Sequence, residues 1–266
     1  MPYLNVRTLP LSAQQATYLL RRATFGPTPA EITAFTGLTP TQAVQQLINN
    51  KSYVANPPPP LEFDESKPNT GQPFLDKPFN GDRNFWFGTY VKFWWIGQMA
   101  RQDVPPSLLD KLALFWQNHF VTTRNDVDDY RFVDQYLRLL RTNALGNFRT
   151  FVIEITKDPA MLRYLNGNQN KKNSPNENYA RELQEFFTVG NKDFSGKNNY
   201  TEDDVKAPAR VLTGWDYTNF WSEGSTSFET TFISNLHDTA NKVFSTNYGT
   251  ATITGRSGAT TNWPIL

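Results

Sequence analysis

The chain has 266 residues, with 26 Lys and Arg against 25 Asp and Glu, a formal charge of +1 and no cysteine. That balance excludes the basic stripe of a dedicated nucleic-acid binder, and the missing thiols exclude a disulfide framework, a thiolate zinc site and a cysteine nucleophile. Only 38% of residues are hydrophobic but 14% are aromatic, so a length fit for one large or two small domains is expected to bury a ring-rich core.

Met1 to Ser12 lacks the charged start and continuous apolar run of a signal peptide, which makes the cytoplasm the default expectation. No stretch approaches the roughly 20 apolar residues of a transmembrane helix. Three short helices follow, announced by Ser12 with Gln15, Thr28 with Glu31 and Thr39 with Gln42, each a hydroxyl cap answered three residues on. Ala16, Leu19, Leu20 and Ala23 form the core stripe of the first, beside an Arg21-Arg22 pair that suits the surface. Pro57 to Pro60 then open a long polar loop over residues 56–82, the length of a strap or lid.

From Asn84 to Arg101 large apolar residues, most of them aromatic, recur at helical spacing: Phe85, Trp86, Tyr90, Phe93, Trp94 and Met99. A core helix is the expected reading, with a sugar-stacking platform as the alternative. Ser107 with Asp110 opens the next helix, whose inward face holds Leu108, Leu112, Phe115, Trp116 and His119. A helix over Asp126 to Asn143 turns Phe132, Val133, Tyr136, Leu137 and Leu140 inward. Asn147 and Asp158 cap two more. Thr201 with Asp204 starts another through about Leu212, where Pro208 is expected to kink it or end it early.

Ser174 to Thr188, S-P-N-E-N-Y-A-R-E-L-Q-E-F-F-T, is the densest cluster of ionisable groups. Ser174 as cap, Pro175 at the first turn and Glu177 three residues on predict a helix closed by a capping box. Tyr179, Leu183, Phe186 and Phe187 share one face, Glu177, Arg181 and Glu185 the opposite one, and Glu182 lies on the border. A solvated face makes these ordinary i, i+4 pairs; a covered one makes them a site. Residues 218–266 turn rich in Thr, Ser, Asn and Gly, with runs such as Phe228 to Ile233 that suit short strands. The second histidine lies there, in His237-Asp238.

Several strings together resemble a large bacterial family catalogued as domain of unknown function 1800: L-L-R-R-A-T-F-G-P-T from Leu19, K-L-A-L-F-W-Q-N-H-F from Lys111, N-A-L-G-N-F-R from Asn143, D-P-A-M-L-R-Y-L from Asp158, the Pro175 to Thr188 string and L-T-G-W from Leu212. The resemblance spans roughly residues 12 to 217 and continues weakly through His237-Asp238 to Lys242. It implies a mostly helical bacterial protein, often exported, with no established activity. Family members usually run further, so the chain resembles the amino-terminal part of the pattern. Pro208 and the missing glycine between His-Asp and lysine depart from it.

The expected architecture is mainly α, a multi-helix orthogonal bundle over residues 1–217 with its Pro-rich loop, followed by an irregular or small β tail over 218–266. Two functions fit. One is a helical enzyme whose pocket collects His119, Glu177, Arg181, Glu182, His237 and Asp238 for acid/base or metal-assisted hydrolysis, with a divalent metal as the cofactor such donors would take. The other is a non-catalytic envelope or scaffold protein that binds a glycan or a protein partner through exposed rings. No H-E-x-x-H, G-x-S-x-G or P-loop string is present.

Overall fold

Ser12, Thr28 and Thr39 each accept a hydrogen bond from the backbone N–H three residues on, while Gln15, Glu31 and Gln42 accept one from the cap amide in return. These closed boxes satisfy two orphan donors per helix and start α1 (Ala13–Ala23), α2 (Pro29–Phe35) and α3 (Pro40–Asn49) as the sequence predicts. The structure is a computed structural model that describes residues 7–51 and 56–256; the part of the tail expectation that falls on 257–266 lies outside them. The remaining helices are α4 (Asn84–Met99), α5 (Leu109–His119), α6 (Arg124–Val127), α7 (Tyr130–Asn143), α8 (Phe148–Lys157), α9 (Pro159–Tyr164), α10 (Asn178–Glu182) and α11 (Glu202–Val211). Strands β1 (Trp215–Tyr217) and β2 (Thr230–Phe232) pair antiparallel, as do β3 (Lys242–Val243) and β4 (Thr252–Ile253). The protein is thus mainly α with small β elements towards its C-terminal end.

The chain divides into two units. The first takes residues up to 75, 89–118 and 140–146. Leu20, Phe35 and Leu47 are fully buried at its centre, and Leu108 packs against them. Its proline-rich loop is fastened to α4: the Trp94 indole donates to the Pro58 carbonyl at 2.5 Å, and Phe63 and Phe74 lie 5.4 and 6.4 Å from the Tyr90 ring.

The second unit takes residues 76–88, 119–139 and 147 onward. Rings build much of its interior. Phe79 stacks on Tyr130 at 5.5 Å, Phe132 meets Tyr217 at 5.1 Å and Phe228 at 4.7 Å, and Phe120 meets Phe151 at 5.0 Å. Asn147 and Asp158 cap α8 and α9 as predicted.

Local expectations fail where a distant partner or a special backbone intervenes. The single helix over Asp126 to Asn143 is two, because Asp128 adopts φ 51° and ends α6; aspartate tolerates that left-handed conformation better than most residues. Ser174 caps nothing. Its N–H donates to the Lys171 carbonyl at 2.9 Å, and the amides of Asn170, Asn176 and Asn178 hold the chain in turns until α10 begins at Asn178. Glu177 is the N-cap there and makes no side-chain cap bond.

Beyond α10 the chain continues as a π-helix, Leu183–Phe187. Its wider turn keeps Tyr179, Leu183 and Phe187 inward at steps of four and rotates Phe186 out to 62% exposure. Nor does Pro208 break α11, which runs through it to Val211. On α5, Leu109, Asp110 and Ala113 are the buried residues, Phe115 is exposed, and His119 is only half-buried.

Candidate functional site

The candidate polar residues all lie in the second unit, where they form three separate groups. In the first, the Arg181 guanidinium donates to Glu177 at 3.3 Å and to both oxygens of Glu202 at 3.1 and 2.8 Å. Those hydrogen bonds to Glu202 raise its pKa. Its planar fork is therefore occupied by carboxylates of the protein, on side chains 36%, 38% and 67% exposed for Arg181, Glu177 and Glu202. Glu182 beside them is half-buried, and burial first, then the charge of Glu185, raises its pKa. Glu185 accepts from the Tyr200 hydroxyl at 3.2 Å. The arrangement is a ladder of ion pairs at the surface.

In the second group, His119 lies against rings. Its imidazole sits 4.6 Å from Phe120, 6.2 Å from Phe148 and 6.1 Å from Phe187. Nε2 is 2.9 Å from the Phe187 carbonyl; since a carbonyl only accepts, that nitrogen carries the proton.

The third group is built by the end of α11 and the loop before β3. His237 is 9% exposed, with Nδ1 2.8 Å from the Thr213 carbonyl and 3.2 Å from the Thr213 hydroxyl. That hydroxyl donates to the Arg210 carbonyl and accepts from the Asp238 N–H, both at 2.8 Å. Its proton being committed, Nδ1 must donate, which leaves Nε2 with the lone pair of the neutral ring. Gly214 permits this approach: it has φ +93°, and a Cβ there would meet the Ile233 carbonyl at 2.9 Å and His237 Cβ at 3.3 Å.

Asp238 does not orient the imidazole. Its carboxylate takes Arg210 at 2.7 and 3.3 Å and lies 3.6 Å from the ammonium of Lys242. Lys242 is 1% exposed and also donates to the Asp238 carbonyl. Burial pulls the pKa of Asp238 upward, but the Arg210 hydrogen bonds and the Lys242 charge outweigh it and hold the carboxylate below its usual range. Burial, only partly offset by Asp238, lowers Lys242. The His-Asp dipeptide is thus a tautomer-fixed imidazole next to a structural ion triad. Among the described residues no three His, Asp or Glu side chains stand together to hold a metal ion.

The structure adds two features that the spacing of charges did not reveal. Asp158 is both a helix cap and a fully enclosed carboxyl, 3% exposed; the cap was legible, the enclosure was not. The other is the outer face of α4. In the first unit's part of this helix, Phe93 and Ile96 are 57% and 58% exposed, within a sector of about 60° on the helix wheel; in the second unit's part, Phe85 and Trp86 are 59% and 48% exposed. Tyr90, Val91 and Trp94 are buried on the side opposite Phe93 and Ile96. Large apolar residues occur on both sides of the helix, with Thr89 and Lys92 between those of the outer side, so half of the apolar surface meets solvent. In the second unit's part, the Arg124 guanidinium lies 4.7 Å over the Phe85 ring and donates to the Phe85 carbonyl at 2.6 Å.

No helix of the described residues is long and apolar enough to cross a membrane. No curated protein and no solved structure matches the chain. A family profile does, over residues 18–260, a span that takes in the π-helix, the ion-pair ladder and the His237 cluster: the chain belongs to the family described as "Protein of unknown function (DUF1800)".

Proposed function

We propose that the protein is a non-catalytic binding module that docks an apolar surface of another protein on the outer face of α4. The observation that carries this is the exposure of Phe93 and Ile96 on one side of the part of α4 that belongs to the first unit. Scattered exposed apolar residues need no explanation, but two large ones adjacent on one helix face, rimmed by polar Thr89 and Lys92, fit an interaction surface. Since each is already about half covered, docking gains about half of the roughly 1.5–3 kcal/mol that full burial of such a side chain is worth. Ile96 beside the Phe93 ring fits an apolar protein surface better than a sugar, which needs polar partners around each stacking ring.

A photoreactive phenylalanine analogue in place of Phe93 tests the reading in cells that express the protein. One discrete protein adduct, lost on Ile96→Asp, is the expected result. Adducts no different from those of a probe at exposed Lys192 would overturn it. Saturable quenching of tryptophan fluorescence by oligosaccharides, lost on Phe93→Ala, would instead assign the face to a glycan.

The hydrolase reading keeps one supporting observation, the Nε2 lone pair of His237 on a ring whose tautomer is fixed by Thr213. Release of p-nitrophenol from a panel of esters and glycosides by the wild type and not by His237→Gln would carry that reading. Equal rates from both would sink it.

A further inference from the structure

Residues 191–198 of the second unit form a finger in which every residue is exposed. Its arms are tied as a hairpin: the Asn199 N–H donates to the Asn191 carbonyl and the Asp193 N–H to the Lys197 carbonyl, both at 2.9 Å, and Lys192 bridges to Asn198. At the tip Phe194 is 113% exposed, so its ring stands clear of the protein. The turn fixes it there. The Asp193 carboxylate accepts from the Ser195 N–H at 2.8 Å, the Ser195 hydroxyl at 2.7 Å and the Lys197 N–H at 3.0 Å, and Gly196 takes φ +85°, which a side chain would strain. Polar residues are the usual choice for such a tip, and a phenylalanine held off the surface contributes no burial to the fold that would account for it.

The neighbours of the ring point to what it meets. Phe194 is the one apolar side chain in the finger, so a partner protein would gain a single ring there, without the surrounding apolar area of a stable interface of about 800 Å² a side. Lys192 and Lys197 flank the tip, one on each arm. The acid between them, Asp193, has its carboxylate committed to the turn. Of the nearest acids along the chain, Glu185 accepts from the Tyr200 hydroxyl, while Glu202 and Asp203 are paired with Arg181 and Lys206. A ring between two cations matches the membrane interface, where an aromatic side chain sits at the boundary of headgroups and acyl chains and ammonium groups meet lipid phosphates.

We propose that the 191–198 finger is a reversible contact to an anionic phospholipid bilayer, with Phe194 inserted at headgroup level and Lys192 and Lys197 against the lipid phosphates. It shares no residue with the α4 face and stands or falls separately from the docking reading. Because the turn is already closed, little ordering is left to oppose insertion. A single myristoyl chain binds bilayers with a constant of only about 10⁴ M⁻¹. One ring buries less than that chain, so the contact is weaker and exchanges quickly.

The test sediments the full chain at low salt and millimolar lipid with vesicles of phosphatidylcholine alone and of equal parts phosphatidylcholine and phosphatidylglycerol. The chain is expected to pellet with the anionic vesicles only, and to be released in 1 M salt. Phe194→Ala should lower the partition about fivefold or more, Phe194→Trp should keep or raise it, and Lys192→Gln with Lys197→Gln should lower it about tenfold or more. All of these variants are expected to keep the wild-type urea midpoint, so that lost sedimentation is not lost folding. Sedimentation with neither vesicle, equal sedimentation with both, or binding that Phe194→Ala leaves unchanged overturns the proposal. So does a photoreactive phenylalanine analogue at position 194 that joins a discrete protein in cells and no lipid, which would assign the ring to a partner's pocket.

Discussion

The side-chain amide of Gln184 donates to the Asp204 carbonyl at 2.9 Å, the acceptor that Pro208, four residues on, has no N–H to reach. A proline inside a helix strands one carbonyl; here the π-helical stretch supplies the missing donor. The same amide donates to Ala180 at 3.1 Å and accepts from the Tyr248 hydroxyl at 2.7 Å, all in a side chain 5% exposed. Continuity of α11 through Pro208 thus depends on a residue 24 positions upstream.

Gln184→Leu should therefore cost about 3 kcal/mol, since it leaves several buried polar groups without partners. Pro208→Ala gives position 208 an N–H, so in the Gln184→Leu background it should recover about 1 kcal/mol more than it does in the wild type. A double-mutant cycle read by urea unfolding measures that coupling. Additive effects would show that Asp204 has another source of donors.

Asp158 caps α9 through Oδ1, which accepts from the Ala160 and Met161 N–H groups at 3.0 and 3.3 Å. Burial raises its pKa to about 7 although those bonds lower it. Its folded pKa thus lies above its unfolded value, so between about pH 4 and 7 the native state holds a proton that the unfolded chain has lost. Stability should fall with rising pH across that window by up to roughly 1.4 kcal/mol per unit from this group. Asp158→Asn keeps the cap without the ionisation. The variant should show a flatter stability profile and exceed the wild type at pH 8, by chemical denaturation at a series of pH values. Parallel profiles would place the titration elsewhere.

What could be read from residues alone divides along the range of the interaction. Caps at Ser12, Thr28, Thr39, Asn147, Asp158 and Thr201 close within three residues, so local pattern suffices for them. Ser174 has the same local pattern and fails, because the Asn170, Asn176 and Asn178 amides offer the backbone a competing set of turns. The Pro208 expectation fails because Gln184 is invisible to any local window. On α4 periodicity could not say which half is wet, since rings occupy both. Of the site candidates, His237 and Asp238 share Thr213, which meets the imidazole and the Asp238 N–H, while their side chains have different partners; neither their spacing nor that of Glu177 and Arg181 foretold Arg210, Thr213 or Glu202.

Asp238→Asn should be among the more damaging substitutions in the second unit. It removes the carboxylate that faces Arg210 and the 1% exposed Lys242, and stranding a buried charge costs about 3 kcal/mol. Burial already places the folded pKa of Lys242 below its unfolded value, so the unfolded chain binds the proton more readily and stability rises with pH as Lys242 discharges. The variant should accordingly recover part of its loss as pH rises from 7 towards 10. Lys242→Met in the same background should recover some of it at pH 7. Neither rescue in thermal unfolding would mean that Lys242 does not depend on Asp238.

Arg181 invites the opposite prediction. Its hydrogen bonds to Glu202 and Glu177 look strong in geometry, but the side chains are 36%, 67% and 38% exposed. Water and salt compete for each of them, so measured contributions of such pairs fall to about 0–1 kcal/mol. Arg181→Ala should lower stability by less than about 1 kcal/mol at low ionic strength. The difference should shrink further in 1 M salt, where the screening length is about 3 Å. The surface-ladder reading then stands on two numbers from urea unfolding at two salt concentrations. A loss above about 2 kcal/mol that persists in 1 M salt would mean that the Arg181 face is covered in the functional protein, and the charged cluster on α10 would return as a candidate for a site.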